Sequence, residues 1–231
     1  MFNFKIKGKF KSEDELINGK QLPDGAIQFK EGDSLQDAFI KGLLIGLPLF
    51  VVMIVSMIFR LRNVNYKLEM NIQTGITFAT MIIILGILPY VHEFIHGIFY
   101  PLSAEKAIWK LQEQGAYFVY CDETVSKERF IVLSIAPAII LGIIPFVGVL
   151  IFAESISAAC IIATWIVSLI MTVMAIGDFA NIYNAIKQVP KGAKVFNYGM
   201  HTYSKKQEIS WNKRKKQKQK EIRRQDRWKL K

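Results

Sequence analysis

The chain has 231 residues, is 52% hydrophobic and carries a formal net charge of +11. A composition this apolar, with a mean hydropathy of +0.25, argues against an ordinary water-soluble enzyme. Its two cysteines, Cys121 and Cys160, are far apart and offer neither a disulfide framework nor a C-x-x-C metal pair.

Residues 1–36 form a polar, lysine-bearing leader with turn signals at "LPDG" (Leu22–Gly25) and "EGD" (Glu31–Asp33), where a short hairpin is expected. Four stretches without a charged residue follow: Gly42–Phe59, Ile72–Val91, Phe130–Ala153 and Ser155–Gly177. At 1.5 Å per residue each is about long enough to cross a ~30 Å hydrocarbon layer. None shows the polar stripe of period 3.6 that marks a helix at the surface of a soluble protein. The first begins near residue 38 and exits at Arg60 and Arg62, too late and too charged for a cleaved signal peptide. The expected fold is therefore all-α and membrane-integral, about four transmembrane helices with a small strand-containing cytosolic loop.

The second apolar segment continues to about Tyr100 and stops at Pro101. In the loop that follows, Leu102–Arg129, the run "AIWKLQEQGAYFVYC" carries aromatic and β-branched residues on both sides of Gly115, and predicts two short strands joined by a turn. The third segment contains Pro137 and Pro145, so kinks are expected. A very short link around Glu154 leads to the fourth, which runs past Asn181 until "VPKGAK" (Val189–Lys194) stops it. The domain reading is a leader over 1–36, a four-helix membrane domain over 37–200 and a basic tail over 201–231.

From Lys205 onward thirteen basic residues face three acidic ones, so the tail holds a net +10. Such a tail is expected to stay in the cytosol and fix topology, and to rest near anionic lipid headgroups at about 1 kcal/mol per basic residue. Nucleic-acid binding has little support, because Trp211 and Trp228 are too sparse for a stacking platform. Four crossings then place both termini in the cytosol of a multi-pass cell-membrane protein. Lys5, Lys7, Lys9 and Lys11 agree with this, as do Lys106, Lys110, Lys127 and Arg129 of the loop. Arg60, Arg62 and Lys67 disagree and are outnumbered.

The second segment ends in "LPYVHEFIHGIFYP" (Leu88–Pro101), which contains H-E-x-x-H. Four residues apart on a helix, His92 and His96 share a face and can hold one zinc ion. Glu93 is adjacent, as a general base for water requires. The plain alternative is that these groups only pair with one another inside a bundle. An acidic group mid-membrane costs roughly 2.5–3.5 kcal/mol, which weighs against so idle a role. A catalytic zinc needs a third protein ligand. Asp178, in "MAIGDFANIYN", lies at the end of the fourth segment, which crosses in the same direction as the second, so topology brings it level with the histidines. Local pairing of Asp178 is the competing reading. Glu105, Glu113, Asp122, Glu123 and His201 are further candidates without that argument of depth.

H-E-x-x-H in a membrane helix, a loop with short strands, a proline-bearing helix beginning "SKERFIVLSIAP", and a Gly-Asp in a later helix together resemble the DUF3267 family of zincin peptidases, over roughly Pro89–Lys194. That group is similar in turn to the site-2-protease-like intramembrane metalloproteases, although Asp178 stands in "GDFAN" rather than in their usual Asp-Gly setting. The resemblance implies Zn2+ held by His92, His96 and Asp178, Glu93 as base, and a peptide or membrane-protein substrate cut in or near the membrane. Two other functions stand beside it. One is a non-catalytic zinc-binding membrane adaptor or immunity-type protein, which would not need Glu93. The other is a small transporter subunit, disfavoured because the remaining segments carry almost no buried charge.

Overall fold

The structure, a computed structural model, describes residues 3–32, 35–62, 67–111 and 116–206. The apolar segments are helices. The first is α2 (Leu35–Arg62), preceded in the leader by the single turn α1 (Asp14–Ile17). The second is α3 (Ile72–Phe99), whose start is capped by the Asn71 side chain accepting from the Thr74 amide. The third is α4 (Lys127–Pro137), which passes through a π-helical stretch, Ala138–Ile143, into α5 (Ile144–Phe152). The kinks expected at Pro137 and Pro145 are thus resolved as one wide turn between the two prolines. The fourth is not continuous: α6 (Ala158–Met174) and α7 (Ile176–Gln188) meet at Ala175 with a 43° bend.

Three of these helices are long and apolar enough to cross a membrane, and four if the bent pair counts as one span. Their outward faces carry bare aliphatic side chains such as Val55, Ile82, Ile83 and Ile151. Only 6% of the apolar window of α3 is buried within the protein, which leaves a large apolar surface facing outward.

The all-α expectation is wrong. Two sheets, of three and four strands, make this a mixed α/β protein. The strands are β1 (Phe4–Lys9), β2 (Ile27–Gln28), β3 (Lys106–Lys110), β4 (Tyr117–Tyr120), β5 (Val125–Ser126), β6 (Ala193–Tyr198) and β7 (His201–Lys206). One sheet has the order β1-β3-β4, the other β2-β7-β6-β5. The paired strands anticipated in the loop are β3 and β4, antiparallel from Ala107↔Tyr120 to Lys110↔Tyr117. The leader does not fold on itself as a hairpin. Its β1 runs parallel beside β3, and its β2 runs antiparallel beside β7. The physical reason is that neither leader strand has a complementary neighbour nearby, and each finds its ladder with a strand far along the chain. Beyond the fourth helical segment, β6 and β7 form a tight hairpin closed by Tyr198↔His201, with Gly199 at φ +58°. The remainder of the basic tail, 207–231, lies outside the described residues.

All these strands lie where α3 ends, α4 begins and α7 ends, since α3 packs on β3 and β4, and α4 on β5 and β6. Two contacts fasten the strands to the helices. Phe4 of β1 lies against Gly97 of α3, where any Cβ would come within 2.3 Å of the phenyl ring. Lys106 is fully buried and donates from Nζ to the carbonyls of Pro101 (2.6 Å) and Leu102 (3.3 Å), tying down the chain just after α3. At the opposite end of the helices, Arg60 pairs with Glu154 at 3.0 Å.

Candidate metal centre

α3 carries His92 and His96 one turn apart on its buried side, near the end that meets the sheets. Asp178 comes from the first turn of α7, just past the break at Ala175. That break is shaped by α2. At Gly42 a Cβ would lie 1.9 Å from the Ile176 carbonyl oxygen, so only glycine lets α2 pass this close to the start of α7. One turn on, Gly46 receives the Phe179 ring.

The three side chains converge. His92 Nε2 is 3.2 Å from one Asp178 carboxylate oxygen, His96 Nε2 is 3.3 Å from the other, and the two Nε2 atoms are 3.1 Å apart. All three are nearly shielded from solvent. The donor set fits a divalent cation in kind and in spacing. Tetrahedral zinc with bonds of about 2.0–2.1 Å places its ligand atoms about 3.3 Å apart. The Nδ1 of His96 faces the Leu133 carbonyl at 2.7 Å. A carbonyl only accepts, so Nδ1 carries the proton and Nε2 is the nitrogen that faces the carboxylate and the second imidazole. Among the described residues this is the group of His, Cys, Asp and Glu that could hold a metal ion.

Glu93 follows His92 and points to another wall. Its Oε2 accepts from the Val119 amide of β4 at 2.9 Å. Glu93, the two histidines and Asp178 line a cleft of about 300 Å³. Phe118 and Val119 of one sheet and Asn197 and Thr202 of the other also line it. Tyr100, one turn beyond His96, also lines it, and its hydroxyl accepts from Asn197 Nδ2 at 3.2 Å. The sequence reading had no place for Tyr100, Asn197 and Thr202. The spacing of Tyr100 from His96 was the one visible sign. Beside the cleft, burial pushes the Cys121 thiol up to about 11 and the Tyr120 phenol up to about 12.

The other candidate ligands are engaged elsewhere. Glu105 pairs with Lys5 at 2.8 Å, Asp122 with Lys20, and His201 with Glu31 at 3.2 Å. Glu123 is outside the convergent group, and Glu113 lies outside the described residues.

Fold and site together describe a protein of apolar, membrane-length helices with two imidazoles, a carboxylate and an adjacent glutamate in a cleft at their end. Residues 85–194, from the middle of α3 into β6, match the DUF3267 family, described as "putative zincin peptidase". No curated protein and no solved structure matches the chain. The wider likeness to site-2-protease-like enzymes therefore rests on the sequence motifs alone.

Proposed function

We propose that the chain is a zinc-dependent metallopeptidase that hydrolyses a peptide bond in or close to the membrane. The observation that carries this reading is the convergence of His92, His96 and Asp178 beside Glu93 in an open cleft. The two Nε2 atoms and an Asp178 oxygen would hold zinc, which supplies a Lewis acid that polarises the scissile carbonyl and lowers the pKa of water toward about 7. Glu93 takes a proton from the attacking water as the new C–O bond forms. It returns that proton to the leaving nitrogen as the C–N bond breaks. His96 is held by the Leu133 carbonyl throughout, and Phe118 and Val119 narrow the cleft against bulk water.

The substrate is a peptide or a membrane protein, presented as an extended segment along the outer edge of β4. Both termini and both sheets lie in the cytosol, and the basic tail rests near anionic headgroups. A second reading is favoured by one contact. The Glu93–Val119 hydrogen bond could serve only to anchor α3 to β4 in a zinc-binding adaptor or immunity-type protein without hydrolysis.

Metal content of the chelator-free, detergent-purified chain tests the first step: one zinc per chain, lost in His96→Ala. Glu93→Gln then separates the two readings. It should keep the metal and lose hydrolysis by about 10²–10⁴-fold. An adaptor would keep its cellular effect in Glu93→Gln and lose it in His96→Ala.

A further inference from the structure

In an α-helix each carbonyl accepts from the amide four residues further on. For Leu133 that residue is Pro137, which has no N–H to give. The sequence of α4 therefore leaves the Leu133 carbonyl without its helical donor. The residue is 4% exposed, so the vacancy has to be filled from within the protein. The next amide does not fill it, because the Ala138 N–H goes to the Ile135 carbonyl. His96 does, from Nδ1, at 2.7 Å.

Pro145 stands at the very start of α5, and two other prolines lie further inside α-helices, Pro48 in α2 and Pro89 in α3. The carbonyls they release are those of Leu44 and Leu85. Among the described residues neither receives a side-chain donor. Leu133 alone of the three does, and its donor is a residue of the candidate metal centre.

We propose that Pro137 is a positioning residue of the metal centre: by lacking an amide hydrogen it reserves the Leu133 carbonyl for His96, and so sets which nitrogen of that imidazole carries the proton and where the other one points. This rests on the metal-binding reading of His92, His96 and Asp178. Residues that orient a ligating imidazole typically change metal affinity by about 10–100-fold when lost. A proline kept only to bend a helix would have no such effect, and its replacement by alanine would favour the helix.

The test uses the full-length, detergent-solubilised chain, with zinc affinity read by competition against a chelator of known strength. Pro137→Ala restores the N–H and lets it compete for the Leu133 carbonyl. Zinc binding should weaken about 10–100-fold, while the thermal midpoint of the zinc-free protein does not fall. Placing lactic acid at position 137 gives an open chain with an ester in place of the amide and no N–H, and should restore wild-type affinity. Equal affinity in wild type and Pro137→Ala overturns the assignment. So does a lactate variant as weak as Pro137→Ala, since the ring rather than the missing N–H would then be responsible. A wild-type chain that binds no zinc removes the metal-binding reading itself, and this assignment with it.

Discussion

The Val119 amide and the Glu93 carboxylate are 2.9 Å apart, and the bond joins the edge strand β4 to the residue that follows His92. Because β4 pairs with β3 on one side only, this amide belongs to the outward row of donors that an added strand would use. An extended substrate on that edge and the Glu93 carboxylate therefore compete for the same hydrogen. Val119→Pro removes it, and proline is tolerated where an edge-strand amide faces away from the ladder. Peptide hydrolysis should fall at least about tenfold with zinc content unchanged, reflecting the misplaced base. A wild-type rate in this variant would make the contact incidental.

Asp178→Ala removes the only carboxylate from the convergent group. Two imidazoles 3.1 Å apart then have no anionic partner. Zinc should bind more than about 100-fold more weakly, beyond the range seen for supporting groups. Titration against a chelator measures it, and undiminished affinity would mean that Asp178 is not a ligand.

Gly42 acts on the same carboxylate from a distance. A methyl group there must push the Ile176 carbonyl, two residues before Asp178. Gly42→Ala should cost about 1–3 kcal/mol, as overpacking typically does, and should weaken zinc binding as well. Gly86→Ala in α3, where a Cβ meets nothing within 4 Å, is the control: it should leave zinc binding unchanged and not lower stability. Parallel thermal melts and zinc titrations would show whether the pair behaves differently.

Alkaline pH should loosen the sheet side of the cleft. Burial raises the Cys121 thiol from 9.0 to about 11 in the folded chain. As pH climbs past 9 the unfolded chain loses its proton first, so stability present below that value is lost between pH 9 and 11. Tyr120 continues the trend, from 10.0 to about 12. The thermal midpoint should therefore drop across this range, and drop less in Cys121→Ala. Identical pH profiles would rule out Cys121 as the source.

What could be read in advance was whatever depends on neighbours along the chain. His92 and His96 announce themselves by a spacing of four, and Asp178 by lying at the end of the fourth apolar segment as the histidines lie at the end of the second. β3 and β4 were visible because their aromatic and β-branched residues flank one glycine. The rest depends on partners far away. β1 has only the short alternation Phe4-Lys5-Ile6-Lys7, and its ladder is completed by β3. β6 and β7 are masked in the sequence by "VPKGAK", which reads as the end of a helix, although Gly199 stands between the two strands. The break at Ala175 has no proline to signal it. Beside it Gly42 of another helix makes its close approach to Ile176, and no local pattern carries that information.

The ladder between β2 and β7 has a consequence for the order of events during synthesis. Gln28 and Tyr203, which touch across it, are 175 residues apart. The leader strands leave the ribosome first and then wait, β1 for the segment after α3 and β2 for the last described strand. Pairings this distant form late in folding. Thr202, on β7, is part of the cleft wall. A nascent chain thus exposes His92, Glu93 and His96 long before it has the walls that enclose them, and the cleft is completed only when β6 and β7, the last described strands, have been made.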